Sequence, residues 1–125
     1  MDIDLPGPLA QLREAFERYE RALTGNQVEV LDELFWNSPL TVRLGATENL
    51  YGYEAIQAFL KGRSPKGLMR ALRSTVITTY GKDLGHASTE FVRDGEARIG
   101  RQTQTWVRMP EGWRIVAAHV SWMDG

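Results

Sequence analysis

Apolar residues recur every three or four positions along the first third of the chain, and every second position along most of the remainder. Leu9, Leu12, Phe16, Tyr19 and Leu23 form one stripe, which predicts a helix from about Leu9 to Leu23 behind a leader of residues 1–8 containing Pro6 and Pro8. Thr24-Gly25-Asn26 reads as its stop, with Gly25 suited to a left-handed C-terminal position. A shorter helix is predicted from Gln27 to Phe35, burying Val28, Leu31, Leu34 and Phe35, with Asn26 as its N-cap. After Asn37-Ser38-Pro39 the period drops to two. Leu40 to Leu44 and Glu48 to Gly52 read as short strands, and Tyr53 to Leu60, closed by Gly62, as a third helix. Long strands follow over Arg70–Tyr80 and Leu84–Arg93. Asp94-Gly95 is a two-residue hairpin signal leading to Ile99–Arg108, and the Met109-Pro110-Glu111-Gly112 turn leads to Trp113–Trp122.

Helices, two short strands, a helix and then a meander of long strands make an α+β fold. The expected architecture is a curved antiparallel sheet wrapped around N-terminal helices, a cone with an open mouth. In the last hairpin, placing Arg108 opposite Trp113 puts Trp106 against Ile115, Gln104 against Ala117 and Gln102 against His119. That register predicts a mixed face bearing Gln102, Gln104 and His119. It predicts an apolar face bearing Val116, Ala118, Val120 and Trp122, and leaves His86 on the surface at the opposite parity.

Composition narrows the partners. The 125 residues suit one domain spanning 1–125. Fifteen basic against sixteen acidic residues leave almost no net field, so neither nucleic acid nor an anionic membrane surface is expected as a partner. The sequence has no cysteine, which excludes thiol catalysis and thiolate metal sites and fits a cytoplasmic location. Met1-Asp2-Ile3-Asp4 is acidic with no apolar run behind it, so no signal peptide or membrane span is expected.

Tyr19 carries the most information among the polar candidates. It lies on an apolar stripe, so its phenol either meets a backbone carbonyl or solvent, or points into a cavity as a proton donor. Arg43, between Val42 and Leu44, is either a solvated edge-strand arginine or a cavity cation that needs an anion, with a carboxylate as the natural bidentate guest. Arg63 is a second cation of this kind, or a loop charge. Gln102, Gln104 and His119 must bond to one another or to a ligand if they share a buried face. Asp32 and Glu33 could supply a base but read better as helix-surface charges. With two histidines on opposite faces and no acidic loop, no metal site is expected. No glycine-rich phosphate loop is present, and no cofactor is expected.

Several blocks resemble a known family. They are Phe16-Glu17-Arg18-Tyr19, Leu31 to Trp36, Glu48 to Tyr53, Arg63-Ser64-Pro65, Thr75 to Gly81, Gly100 to Trp106 and Trp113 to Ser121. Together they are similar to a small proteobacterial family of the nuclear transport factor two-like (SnoaL-like, cystatin-like) superfamily. That family includes oxalurate-catabolism proteins and a decarboxylating amidohydrolase that converts dicarboxyurea to allophanate in cyanuric-acid breakdown. The resemblance implies the cone-shaped fold, a homodimer through the outer sheet face and association with an amidase. It also implies a catalytic pair at Tyr19 and Arg43. Arg63, Gln102, Gln104 and His119 join them as expected substrate contacts on the residue reading alone. The expected activity is hydrolysis or decarboxylation of a small ureido carboxylate; the alternative is a non-catalytic accessory or ligand-binding domain.

Overall fold

The computed structural model describes residues 1–125. Helix α1 spans Pro6–Thr24, earlier than the apolar period alone predicts. Both prolines fall within the first turn, where backbone N–H groups have no intrahelical acceptor, so their missing donors cost nothing. The segment ahead of it is tied to the sheet. Asp4 donates its backbone N–H to Thr79 and accepts one in return on its carboxylate, at 3.0 and 2.8 Å.

Helix α2 covers Val28–Leu34. Its junction with α1 departs from expectation: Gly25 has an ordinary φ of −89°, and Asn26 takes the left-handed turn at φ 50°. Gln27, not Asn26, is the α2 N-cap, without a side-chain cap bond. Asparagine tolerates the left-handed region better than other non-glycine residues, which frees Gly25 from it.

Short strands β1 (Val42–Leu44) and β2 (Asn49–Tyr51) precede helix α3 (Tyr53–Gly62). Four long strands follow: β3 (Ala71–Tyr80), β4 (Leu84–Val92), β5 (Ile99–Met109) and β6 (Gly112–Met123). They form one curved, six-stranded sheet in the order β2-β1-β6-β5-β4-β3, antiparallel except where β1 runs parallel to β6. The inner face packs against the helices through Leu12, Phe16, Tyr19, Leu31, Leu34, Phe35, Ile56, Leu60, Trp106 and Ile115. The fold is the expected α+β type. No helix is long and apolar enough to cross a membrane.

Two details of the meander differ from the sequence pattern. Asp94-Gly95 does turn, with Glu96 N–H donating to the Arg93 carbonyl at 3.2 Å, but pairing resumes only at Phe91 and Gly100. The connection is therefore a loop of residues 93–98, braced by Glu96 accepting from Arg98. More consequential is a bulge opposite Thr105–Trp106. Trp106 pairs with Ile115, but Thr105 pairs with Ala117, so Val116 is skipped. One extra residue flips every side chain beyond it to the other face.

The shifted register corrects three expectations. Gln104 lies opposite Ala118 and Gln102 opposite Val120, so Ala118, Val120 and Trp122 share the inner parity of the glutamines. His119 lies opposite Thr103 on the outer face and is exposed. His86, opposite Thr105, has the same outer parity, so the two histidines share a face. The predicted apolar strip of Val116, Ala118, Val120 and Trp122 does not exist as one outer surface.

Candidate functional site

Strand β1 inverts the usual rule for a short strand. Its charged residue, Arg43, is buried, whereas the flanking Val42 and Leu44 are only half-buried. Arg43 pairs with Ala118 of β6, which in turn pairs with Gln104 of β5. Arg43 and Gln104 thus stand in one cross-strand row of the inner face, with only a methyl side chain between them. Small Ala118 leaves the space above the sheet that two long polar side chains need.

Arg43 is held on two sides. Its Nη1 donates to Glu48 Oε1 at 2.8 Å, and its guanidinium lies 5.0 Å from the centre of the Phe59 ring. Burial opposes the charge on Glu48, but hydrogen bonds from Thr47 and Arg43 outweigh it and hold the carboxyl below its ordinary value. Gly45 leaves room for the pair: a Cβ there would sit 1.9 Å from Glu48 Oε1 and 3.0 Å from Arg43 Nη1.

Arg63, at the C-terminus of α3, is the least compensated charge. Its backbone N–H closes the helix on the Phe59 carbonyl at 3.1 Å, while side-chain Nε and Nη2 are buried with no hydrogen-bond partner in the protein. Burial pulls its pKa down. Nearby Tyr19 acts in the opposite sense, and the positive charges of Arg43, Arg93 and Arg70 add to the depression. Tyr19 itself is buried, edge-on to Phe35 with ring centres 6.2 Å apart. Tyr19 and the paired Arg43 thus both lie within electrostatic reach of the unpaired Arg63. A site with that excess of positive charge and donors suits an anion.

A second arginine cluster, missed by the sequence pattern, adjoins the first. Arg70 precedes β3, and its side chain is only 2% exposed. It donates to both carboxylate oxygens of Glu20 at 2.9 and 2.7 Å, and to Gln102 Oε1 at 3.0 Å. Its guanidinium also stacks 4.4 Å from the centre of Phe91. The glutamines are buried: Gln104 Oε1 accepts from Trp106 Nε1 at 3.0 Å, while both glutamine Nε2 groups lack a protein partner. The only sequence signal for Arg70 is its position at the start of a long strand; its partner lies fifty residues away.

The remaining candidates lie elsewhere. His119 lines a shallow outer-face cleft with Arg101, Thr103 and Ser121, across the sheet from Arg43. Asp32 is engaged by Gln57 at 3.4 Å, and its carbonyl accepts from the Tyr53 hydroxyl at 2.9 Å. Glu33 pairs with Arg18 on an exposed helix face, and that hydrogen bond lowers its pKa against a small burial penalty.

Solved structures place this arrangement among relatives. A protein of unknown function from Pectobacterium atrosepticum is 64% identical over 98% of this chain and 96% of its own, with a TM-score of 0.97. A cystatin-like fold protein from Burkholderia xenovorans is 46% identical over 100% of this chain and 98% of its own, with a TM-score of 0.96. A nuclear transport factor 2-like superfamily protein from Salmonella enterica shares the fold at 24% identity, over 94% of this chain and 92% of its own, with a TM-score of 0.74. Among curated proteins none matches. The family model described as AtzH-like matches residues 1–125, and the chain belongs to that family, within the nuclear transport factor 2-like, cystatin-like superfamily.

Proposed function

We propose that the chain is a cofactor-independent enzyme that cleaves a C–N bond of a small, dicarboxyurea-like ureido carboxylate in nitrogen-compound catabolism. The observation that carries this reading is Arg63, a half-buried arginine whose Nε and Nη2 are enclosed without a partner and which lies within electrostatic reach of Tyr19 and Arg43. A charge left in that state costs stability, and active sites are where such costs are retained. Membership of the AtzH-like family supports the same class of chemistry.

The reaction that fits is loss of an N-carboxyl group, R–NH–COO⁻ + H⁺ → R–NH₂ + CO₂. The bond between nitrogen and the carboxyl carbon breaks, its electron pair stays on nitrogen, and nitrogen takes a proton. Tyr19 supplies that proton and regains one from solvent. Arg43 and Arg63 bind the carboxylate that remains. Binding the departing one would stabilise a negative charge that must vanish as CO₂ forms, and would slow the step. Neither a nucleophile nor a metal is required. The outer sheet face, with Val76 exposed and His86, Thr103 and His119 across it, is the surface we assign to a homodimer.

The test is turnover of dicarboxyurea by the purified protein, followed as released CO₂. Tyr19→Phe and Arg43→Ala are each expected to lower kcat/KM at least 10²-fold. Unchanged rates in both variants would remove the site assignment. No turnover by the wild-type chain, together with co-purification with an amidase, would favour an accessory role.

A further inference from the structure

The two inner-face glutamines of β5 differ from an ordinary buried network in having a forced polarity. Gln104 Oε1 faces the Trp106 indole N–H, and Gln102 Oε1 faces Arg70 Nη2. Indole and guanidinium nitrogens can only donate. Each amide must therefore turn its oxygen to that partner and its NH₂ the other way. Both NH₂ groups are buried without an acceptor in the protein. Two glutamines at positions i and i+2 of one strand, about 7 Å apart at Cα, thus present donors only. Gln104 shares a row with Arg43 across Ala118.

The supports of these amides are strong. Arg70 is fixed by both oxygens of Glu20 and by the Phe91 ring. Trp106 is fully buried. An evolved fold does not bury two oriented amide donors without acceptors unless something else supplies them.

We infer that Gln102 and Gln104 form a donor wall for the carbonyl oxygen of the ureido group, with Arg70 and Trp106 as the residues that position them. This rests on the ureido-carboxylate reading given above and adds a role to the same site. As the C–N bond to the departing carboxyl breaks, the electron pair left on nitrogen delocalises onto the adjacent carbonyl oxygen. Charge gathers there before Tyr19 delivers the proton to nitrogen. Preoriented amide donors shielded from water stabilise that oxygen more in the transition state than in the substrate. The arginines select the carboxylates, and the glutamines select the ureido carbonyl.

Two stable probes separate these roles. N-carbamoylglycine carries a ureido carbonyl and a carboxylate; malonate carries carboxylates without the ureido group. Binding of each is measured calorimetrically to the wild-type chain, Gln104→Met, Gln102→Met and Arg43→Ala. The glutamine variants are expected to weaken N-carbamoylglycine about tenfold and to spare malonate, and Arg43→Ala to weaken both. Trp106→Phe, which keeps Gln104 but frees its orientation, is expected to lower kcat on dicarboxyurea while changing malonate binding little. If a variant does not fold, the side-chain NH₂ signals of the wild-type glutamines are followed by nitrogen-15 NMR instead. They should shift with N-carbamoylglycine and not with malonate. Binding of both probes with no glutamine dependence and no such shift overturns the donor wall while leaving the ureido-carboxylate reading standing. Failure of both probes to bind the wild-type chain overturns the two together.

Discussion

Arg43 is locked in place by Glu48: Nη1 to Oε1 is 2.8 Å, with the arginine side chain 9% and the glutamate 21% exposed. The two are five residues apart, on β1 and just before β2, and the short connection between the strands brings them together across Gly45. Arg43 accordingly has one fixed orientation, with its guanidinium against Phe59. A binding group of this kind loses little freedom when a ligand arrives, which is the advantage of preorganisation.

That lock makes stability depend on acid. The Glu48 carboxyl is held below its ordinary value of 4.5 by hydrogen bonds that outweigh the burial penalty. A depressed folded-state pKa means that the unfolded chain takes up the proton first as pH falls. The contribution of the pair is therefore fully present above about 4.5 and lost as pH drops through the lower folded value. Urea midpoints measured between about pH 2.5 and 6 are expected to show wild type and Glu48→Gln converging at the acid end, with the wild type ahead at pH 6. A constant gap across that range would mean that Glu48 acts by packing rather than by charge.

Arg63 leads to the opposite expectation for stability and function. Two of its donors are buried and unpaired, and neighbouring arginines repel it. Arg63→Met keeps the aliphatic bulk and removes the charge. It is expected to stabilise the fold by about 1–3 kcal/mol, from the cost of unsatisfied buried donors. For a domain of this size that raises Tm by roughly 4–11 °C. The same variant should lose most of its affinity for N-carbamoylglycine and malonate. A destabilised Arg63→Met would show that the guanidinium is satisfied by the fold itself, and would remove the observation on which the proposed function rests.

Much of this was legible in the sequence, for identifiable reasons. Turn residues Gly81-Lys82-Asp83 and Asp94-Gly95 bracket β4, and β-branched and aromatic residues flank the Pro110-Glu111-Gly112 turn after β5. Helix α1 carries a clean apolar stripe, so the positions of these elements and Tyr19's place on the buried stripe were readable from the sequence. The bulge at Val116 leaves no mark in the pattern, because Val116, Ala117 and Ala118 are all small or β-branched and suit either face. A register counted straight through it puts His119 inside and Trp122 outside, the reverse of what the fold does. Arg70 was hidden for a different reason. A buried arginine is intelligible only with its partners, and Glu20 and Gln102 lie on elements that no local window connects to it.

Gly100 offers a test of how far the sheet's packing reaches into the site. A Cβ at this position would lie 2.1, 2.2 and 2.5 Å from three atoms of the Phe91 ring, which is fully buried. The ring has nowhere to go: Trp122 stands edge-on at 5.2 Å, and Arg70 and Arg93 lie 4.4 and 5.4 Å from its centre. Gly100→Ala should therefore cost about 1–3 kcal/mol through overpacking. It should also lower turnover, because a displaced Phe91 moves Arg70 and with it the amide of Gln102. Adding Phe91→Leu removes the clashing ring atoms, so the double variant should be less destabilised than the sum of the two single changes. Chemical denaturation of all four proteins gives that coupling directly. Strictly additive losses would mean that the strain at Gly100 is relieved by the backbone, and the predicted link between Phe91 and the site would fail.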